Sequence, residues 1–279
     1  MASVTLAESA KLSQDLLVAG VIENVVTVNP IYQIMPFDQI EGNALAYNRE
    51  NALGDVQTLG VGDPITAKAA ATFTQVTALL KTLIGDAEVD HFIQTTRSNH
   101  NDQKAVQIAS KAKSLGRKYQ DLFINGNDST DANAFDGLLQ IVSASQKTTP
   151  SANGAALSFA ILDELLDKVN AKDGDVDFIM MNSRTLRSYF ALLRALGGAS
   201  IGETVTLPGG RQQPGYRGTP IFRNDYIPIN QTRGSSTSAT TIFAGCWDDG
   251  SRKVGITGLT PMVNSGIFVS DVGEAEAKN

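Results

Sequence analysis

The sequence predicts an α+β protein, and three observations predict it. A long amphipathic helix lies near residues 100–124. The strand-rich stretch before it, residues 40–76, has too few large apolar side chains to bury itself. After it comes a helix–strand–helix unit followed by several short strands.

The first 20 residues carry Leu6, Ala10, Leu16 and Leu17 at helical spacing, with Gly20 as a stop, so a short amphipathic helix is expected over 4–20. It packs either on its own domain or on a neighbouring subunit. The apolar run Val25–Val28 ends at Asn29-Pro30, which breaks regular structure.

Residues 40–51 (IEGNALAYNREN) read as one strand and 65–77 (ITAKAAATFTQVT) as a second, with small side chains alternating with polar ones. Gly54-Asp55, Gly60, Gly62 and Asp63-Pro64 fill the turn between them. A two-stranded arm of this kind is marginally stable alone. It needs either its own sheet or a partner surface. Leu79–Ile84 reads as a return to a core sheet, and Asp86–Thr95 as a short helix burying Val89, Phe92 and Ile93.

In the long helix Ala105, Ile108, Ala109, Ala112, Leu115, Tyr119, Leu122 and Phe123 recur at steps of three and four. Asn99, Asn101 or Asp102 can cap its start. Asn125-Gly126 can stop it through a left-handed C-terminal residue. At 1.5 Å per residue its length is roughly 36 Å.

Beyond residue 150, LSFAILDELLDKV is a helix with Ser158 as a cap, and DVDFIMMN is a buried strand. Asn182-Ser183 caps the helix RTLRSYFALLRALGG, whose apolar face is Leu186, Tyr189, Phe190, Leu193 and Leu196. GETVTLPGGRQQPGYRG can carry a hairpin. TPIFRN, ATTIFAGC and RKVGITGL follow as strands, with TRGSSTSA as a flexible surface loop. MVNSGIFVSDV reads as a last strand and GEAEAKN as a frayed tail.

Composition narrows the function. The 279 residues are 42% hydrophobic and 19% charged, and 23 Lys plus Arg stand against 29 Asp plus Glu, a net charge of −6. That balance gives no support to a dedicated nucleic-acid binder. One cysteine, Cys246, permits no intrachain disulfide. No apolar run approaches the roughly 20 residues of a membrane span, and the N-terminus lacks the order of a signal peptide.

The sequence carries no complete catalytic or metal motif. His91 and His100 do not have zinc spacing, and one cysteine cannot complete a zinc site. Asp173–Asp177 starts like a calcium loop, but Phe178 replaces the required Gly and Arg184 stands at the twelfth position. Gly60-Val61-Gly62 lacks the third glycine of a dinucleotide fingerprint. No P-loop or GxSxG is present. No catalytic residue, cofactor or metal ligand is assigned, and no enzyme is expected.

The tracts, in their order, resemble the major capsid proteins of tailed bacteriophages, whose Hong Kong 97-like fold is shared with encapsulin shells. VIENVVTVNPIYQIMPFDQIEGNALAYNREN resembles the family's N-terminal arm entering an extended loop. The helix at Asn101–Ile124 resembles its spine helix. NGNDSTDANAFDGLL, with Phe135, Gly137 and Leu138, resembles the segment after the spine. DFIMMNSRTLRSYFALL, GTPIFRNDYIP and TIFAGCWDDG resemble its axial domain.

The resemblance implies an N-terminal arm (1–35), an extended loop (36–78), a peripheral domain (79–148 and 258–279, spine helix 100–124) and an axial domain (149–257). It implies a subunit that self-assembles into pentamers and hexamers of an icosahedral head shell around double-stranded DNA. The shell would be built in the host cytoplasm, with a portal, a scaffold and a cement protein as partners and no membrane. An encapsulin-type shell is the alternative, and a soluble α+β enzyme a third reading.

Candidate inter-subunit contacts are Arg49, Glu50, Asp55 and Lys68. Lys104, Lys111 and Lys118, spaced by seven, are candidates for a basic stripe on the inner face. Some relatives carry a removable N-terminal scaffolding segment. Residues 1–35 leave no room for one, so no large N-terminal cleavage is expected. Some relatives cross-link a loop Lys to an Asn; no motif here identifies a partner for Lys68, and no cross-link is expected.

Overall fold

The computed structural model describes residues 34–89, 103–172, 174–196, 203–207, 210–251, 255–262 and 270. Among these the chain up to residue 170 forms β1 (Phe37–Ile40), β2 (Ala44–Ala52), β3 (Thr72–Leu79), α1 (Gln103–Asn125), α2 (Leu138–Ile141) and α3 (Phe159–Asn170). The chain beyond it forms β4 (Phe178–Met181), α4 (Ser183–Ala195), β5 (Glu203–Thr206), β6 (Gln212–Tyr216) and β7 (Thr219–Arg223). It ends with β8 (Gln231–Arg233), β9 (Ser236–Ala239), β10 (Phe243–Gly245) and β11 (Gly258–Pro261).

The core is built on β4. All four of its side chains are buried, as a strand covered on both faces requires. Alternation sends them into two layers. Phe178 and Met180 join Phe222, Ile227 and Phe243, with Phe123 and Ile124 from the end of α1. Ile179 and Met181 join Ile221, with Leu162 and Leu166 of α3 and Tyr189 and Leu193 of α4. The sheet order is β10-β4-β7-β6-β5, with β4 and β7 parallel and the other pairs antiparallel. Two helices therefore cover one face of the sheet, and the spine helix ends on the other.

Local chemistry starts both covering helices where the sequence expects. Ser158 Oγ accepts from Ile161 N–H at 3.3 Å, and Asn182 Oδ1 accepts from Thr185 N–H at 2.8 Å. The expected hairpin near 203–216 is β5–β6. β6 then turns into β7 through Arg217 (φ 50°) and Gly218 (φ 79°). Positive φ at both positions is a type I′ turn, whose twist matches that of the strands. Tyr189 O–H, buried, donates to Gly215 O at 2.7 Å and ties α4 to this hairpin.

The spine helix α1 is 23 residues long. Leu122, Phe123 and Ile124 are buried, whereas Ala105 and Ala109 on the expected apolar face are exposed. It ends at Gly126, but not through a left-handed residue. Gly126 is absent from the positive-φ glycines. Its need is steric: a Cβ there would lie 2.1 Å from Phe135 O, and one on Gly137 would lie 2.6 Å from Leu122 O. Gly137 N–H donates to Gly126 O at 2.9 Å, folding the following segment hard against the helix end.

β2 and β3 form the expected hairpin as a separate two-stranded sheet, in register from Ala44↔Leu79 to Ala52↔Thr72 with one irregularity after Glu50. β1, in the stretch the resemblance gives to the extended loop, pairs in parallel with β11.

Three further expectations differ. Residues 80–89 have no regular structure, and Ile84 is exposed. An apolar run without a neighbouring strand to accept its backbone groups forms no sheet. The expected flexible loop TRGSSTSA is mostly the hairpin β8–β9. Arg233 Nη2 donates to Thr149 Oγ1 at 3.1 Å, and Ser235 N–H to Asn153 Oδ1 at 2.9 Å. Within RKVGITGL only 258 and 259 fall in a strand, and 252–254 lie outside the described residues. The helix expected at 4–20 lies outside the described residues; of the helix expected at 86–95 only 86–89 are described, without helix, and the strand expected over 262–272 lies mainly outside them.

Candidate assembly surfaces

The hairpin presents the largest concentration of exposed apolar side chains among the described residues. Tyr47, Leu53, Val56, Val61, Ile65 and Phe73 are all exposed, Val56 at 95%. An apolar surface of this extent marks a contact site.

The tip is nevertheless ordered by its own polar groups. Gln57 Oε1 accepts from Thr66 N–H at 2.8 Å and Ala67 N–H at 2.9 Å, while its Nε2 donates to Pro64 O at 3.3 Å. Gly60 N–H donates to Asp63 Oδ2 at 2.8 Å. Asp55 N–H closes the neck on Ala69 O at 3.0 Å. One glutamine thus replaces the missing ladder across the tip, and no sequence motif announces it.

The four candidate contact residues all lie on this arm and all are exposed. Arg49 and Glu50 are successive on β2, so they point to opposite faces. Arg49 lies opposite Thr74, and Glu50 opposite Phe73. Asp55 and Lys68 flank the neck.

The candidate stripe is less uniform. Lys111 and Lys118 are exposed on one face of α1, as a spacing of seven requires. The side chain of Lys104 lies outside the described residues. Lys118 lines a hollow of about 280 Å³ together with Asp121 and Asp131, so acids interrupt the basic stripe there.

Several ionisable groups are shifted from their ordinary values. Burial pushes the Tyr119 phenol, whose ring centroid is 6.0 Å from that of Phe135, up to about 12. Burial, reinforced by the 2.7 Å hydrogen bond donated to Asp163, pushes Tyr216 up to about 12. Burial also works against the Asp225 carboxylate, but donors from Ser183 and the Arg223 guanidinium at 2.9 Å outweigh it and lower its pKa. Each of these groups closes a local structural contact. Among the described residues no group of three metal-ligating side chains comes together.

An exposed arm, a rigid helical strut and a two-layered sheet domain together define a shell subunit. The family model of the SU10 major capsid protein matches residues 62–201, half of the chain, and the chain belongs to that family.

Solved structures share the fold. The holo-SrpI encapsulin complex of Synechococcus elongatus PCC 7942 is 18% identical, with a TM-score of 0.61 over 83% of this chain and 70% of that one. The capsid of the native GTA particle is 15% identical, with a TM-score of 0.51 over 77% of this chain and 72% of that one. The capsid of the empty GTA particle is also 15% identical, with a TM-score of 0.50 over 79% and 73%. No curated protein matches the sequence. The fold is the Hong Kong 97-like capsid fold, and the role is structural: the chain builds a capsid shell and resides in the virion.

Proposed function

We propose that the chain forms the icosahedral head shell of a tailed phage around double-stranded DNA, assembling as pentamers and hexamers in the host cytoplasm without catalysing a reaction. The observation that carries this reading is the hairpin Ala44–Leu79, which exposes large apolar side chains and, among the described residues, pairs with no further strand. A neighbouring subunit supplies the surface it lacks. Heterologous contacts of this kind close a shell when repeated by symmetry, and many modest contacts per subunit add up through multivalency.

In this reading the arm is the extended loop, with Arg49, Glu50, Asp55 and Lys68 at its contacts. Residues 79–148 and 258–279 form the peripheral domain, and 149–257 the axial domain. Lys111 and Lys118, with Lys104, face the packaged DNA and hold it through its phosphates without reading sequence. A portal, a scaffold and a cement protein complete the head.

Deleting residues 50–64 tests the reading. The variant is expected to give folded subunits by circular dichroism and no closed shells by electron microscopy. Normal DNA-filled heads from this variant would overturn the assigned role of the arm.

A further inference from the structure

A groove of about 1000 Å³ runs between α3, the 147–157 segment and the β8–β9 hairpin. Its charge is unlike that of the protein as a whole. The net charge of the chain is −6, yet Lys147, Lys168, Lys172, Arg184 and Arg233 line the groove and no Asp or Glu among the described residues does.

Three of these cations spend donors on neutral oxygens. Lys147 Nζ donates to Leu139 O at 3.3 Å, and Arg184 donates to Ile229 O at 3.1 Å and Ser238 O at 2.7 Å. Arg233 donates to Thr149 Oγ1. Among the described residues the positive charge of the five has no carboxylate partner.

The floor of the groove is apolar. Helix α3 sends Leu162 and Leu166 into the core. It turns a second stripe, Ile161, Leu165 and Val169, toward the groove, and Lys168 and Lys172 continue along the same side. A helix apolar on two faces expects covering on both. The occupant should therefore be both apolar and acidic.

We propose that the occupant is the chain's own N-terminal segment, residues 1–33. Position favours it. Met35 and Ile34, where the described chain begins, pack in the same cluster as Leu138, Phe243 and Ile256, and those three line the groove. The segment therefore starts at one end of the groove. Charge favours it as well. Glu8, Asp15 and Glu23 stand against the single Lys11. Leu6, Leu16 and Leu17 supply an apolar face to meet Ile161 and Leu165. The chain beyond residue 262 also carries acids, Asp271, Glu274 and Glu276, but it is the weaker fit by position: β11 runs parallel to β1, with Phe37 opposite Gly258 and Ile40 opposite Pro261, so this tail leaves from the end of the pair away from Met35 and Ile256.

Seating this segment masks the groove in the free subunit. The test therefore reads occupancy on free subunits, confirmed as monomers by light scattering. A chain that never formed shells would still report on the groove. Lysines of the full-length protein are acetylated briefly and quantified by mass spectrometry.

Deleting residues 2–30, or combining Glu8→Gln, Asp15→Asn and Glu23→Gln, should raise labelling of Lys168 and Lys172 roughly tenfold, which corresponds to ~1.4 kcal/mol of docking. Lys111 on the spine helix should not change. Equal labelling in all three proteins would overturn the proposal, as would a rise produced instead by removing residues 263–279. Oxidation of Leu12→Cys and Leu16→Cys variants, with the native Cys246 in the groove, separates own-chain from partner seating. A cross-link within one chain supports the proposal, and one formed only between chains overturns it.

Discussion

The strand β4 and the hairpin β2–β3 solve opposite problems with similar backbone geometry. β4 has four residues, each buried, with alternate side chains feeding two core layers. The hairpin has seventeen strand residues, and none of them is buried. The first is stabilised inside the subunit. The second carries hydrogen bonds between its strands and at its tip, but almost no apolar burial, so most of its stabilisation awaits a neighbour. One chain therefore divides its stability between folding and assembly. The difference teaches that exposed apolar side chains on an ordered arm are a stored contact surface, where the same side chains on β4 are core.

The sharpest way to break that comparison is to damage the core strand. Phe178 is buried and stacks on Trp247 with ring centroids 4.3 Å apart. Phe178→Ala should cost about 3–5 kcal/mol of subunit stability, read by denaturant unfolding. A cost below about 1 kcal/mol would mean that the core does not depend on this strand.

A smaller effect comes from pH. Tyr119 has its folded pKa raised above its ordinary value of 10.0 to about 12. Its contribution is fully present below pH 10 and is lost as pH rises through the folded value, because the unfolded chain releases the proton first. Tyr119→Phe should therefore flatten the alkaline loss of stability between about pH 10 and 12, followed by thermal melting. An unchanged alkaline slope would contradict the burial of this phenol.

The smallest effect on the subunit is expected at the hairpin tip. Replacing Val56, Val61 and Ile65 together by Ser should leave subunit stability within about 0.5 kcal/mol per site, as for surface positions, while shells fail to form. A large drop in subunit stability would show that the tip packs on its own chain, and the contrast with β4 would collapse.

Features fixed by nearby residues were legible in advance. Ser158 and Asn182 cap their helices because a cap needs only a side-chain oxygen and an N–H three residues on. The β5–β6 hairpin follows from turn residues beside it. The β8–β9 hairpin was missed because it is held by Thr149 and Asn153, more than 80 residues away in sequence. Leu79–Ile84 misled because an apolar run says nothing about whether a strand lies beside it. The basic groove was invisible because its five cations are scattered from 147 to 233.

By itself the sequence determined the periodicity, the caps and the turn-rich arm with too little apolar mass. These depend on residues a few positions apart, within reach of one turn or one strand. Tertiary structure alone decided that β1 pairs with β11, that the end of α1 closes one core layer, that two glycines are required by backbone approach at its terminus, and that dispersed cations converge on one groove. Those outcomes rest on contacts between segments far apart in the chain, whose pairing depends on which apolar faces bury one another best.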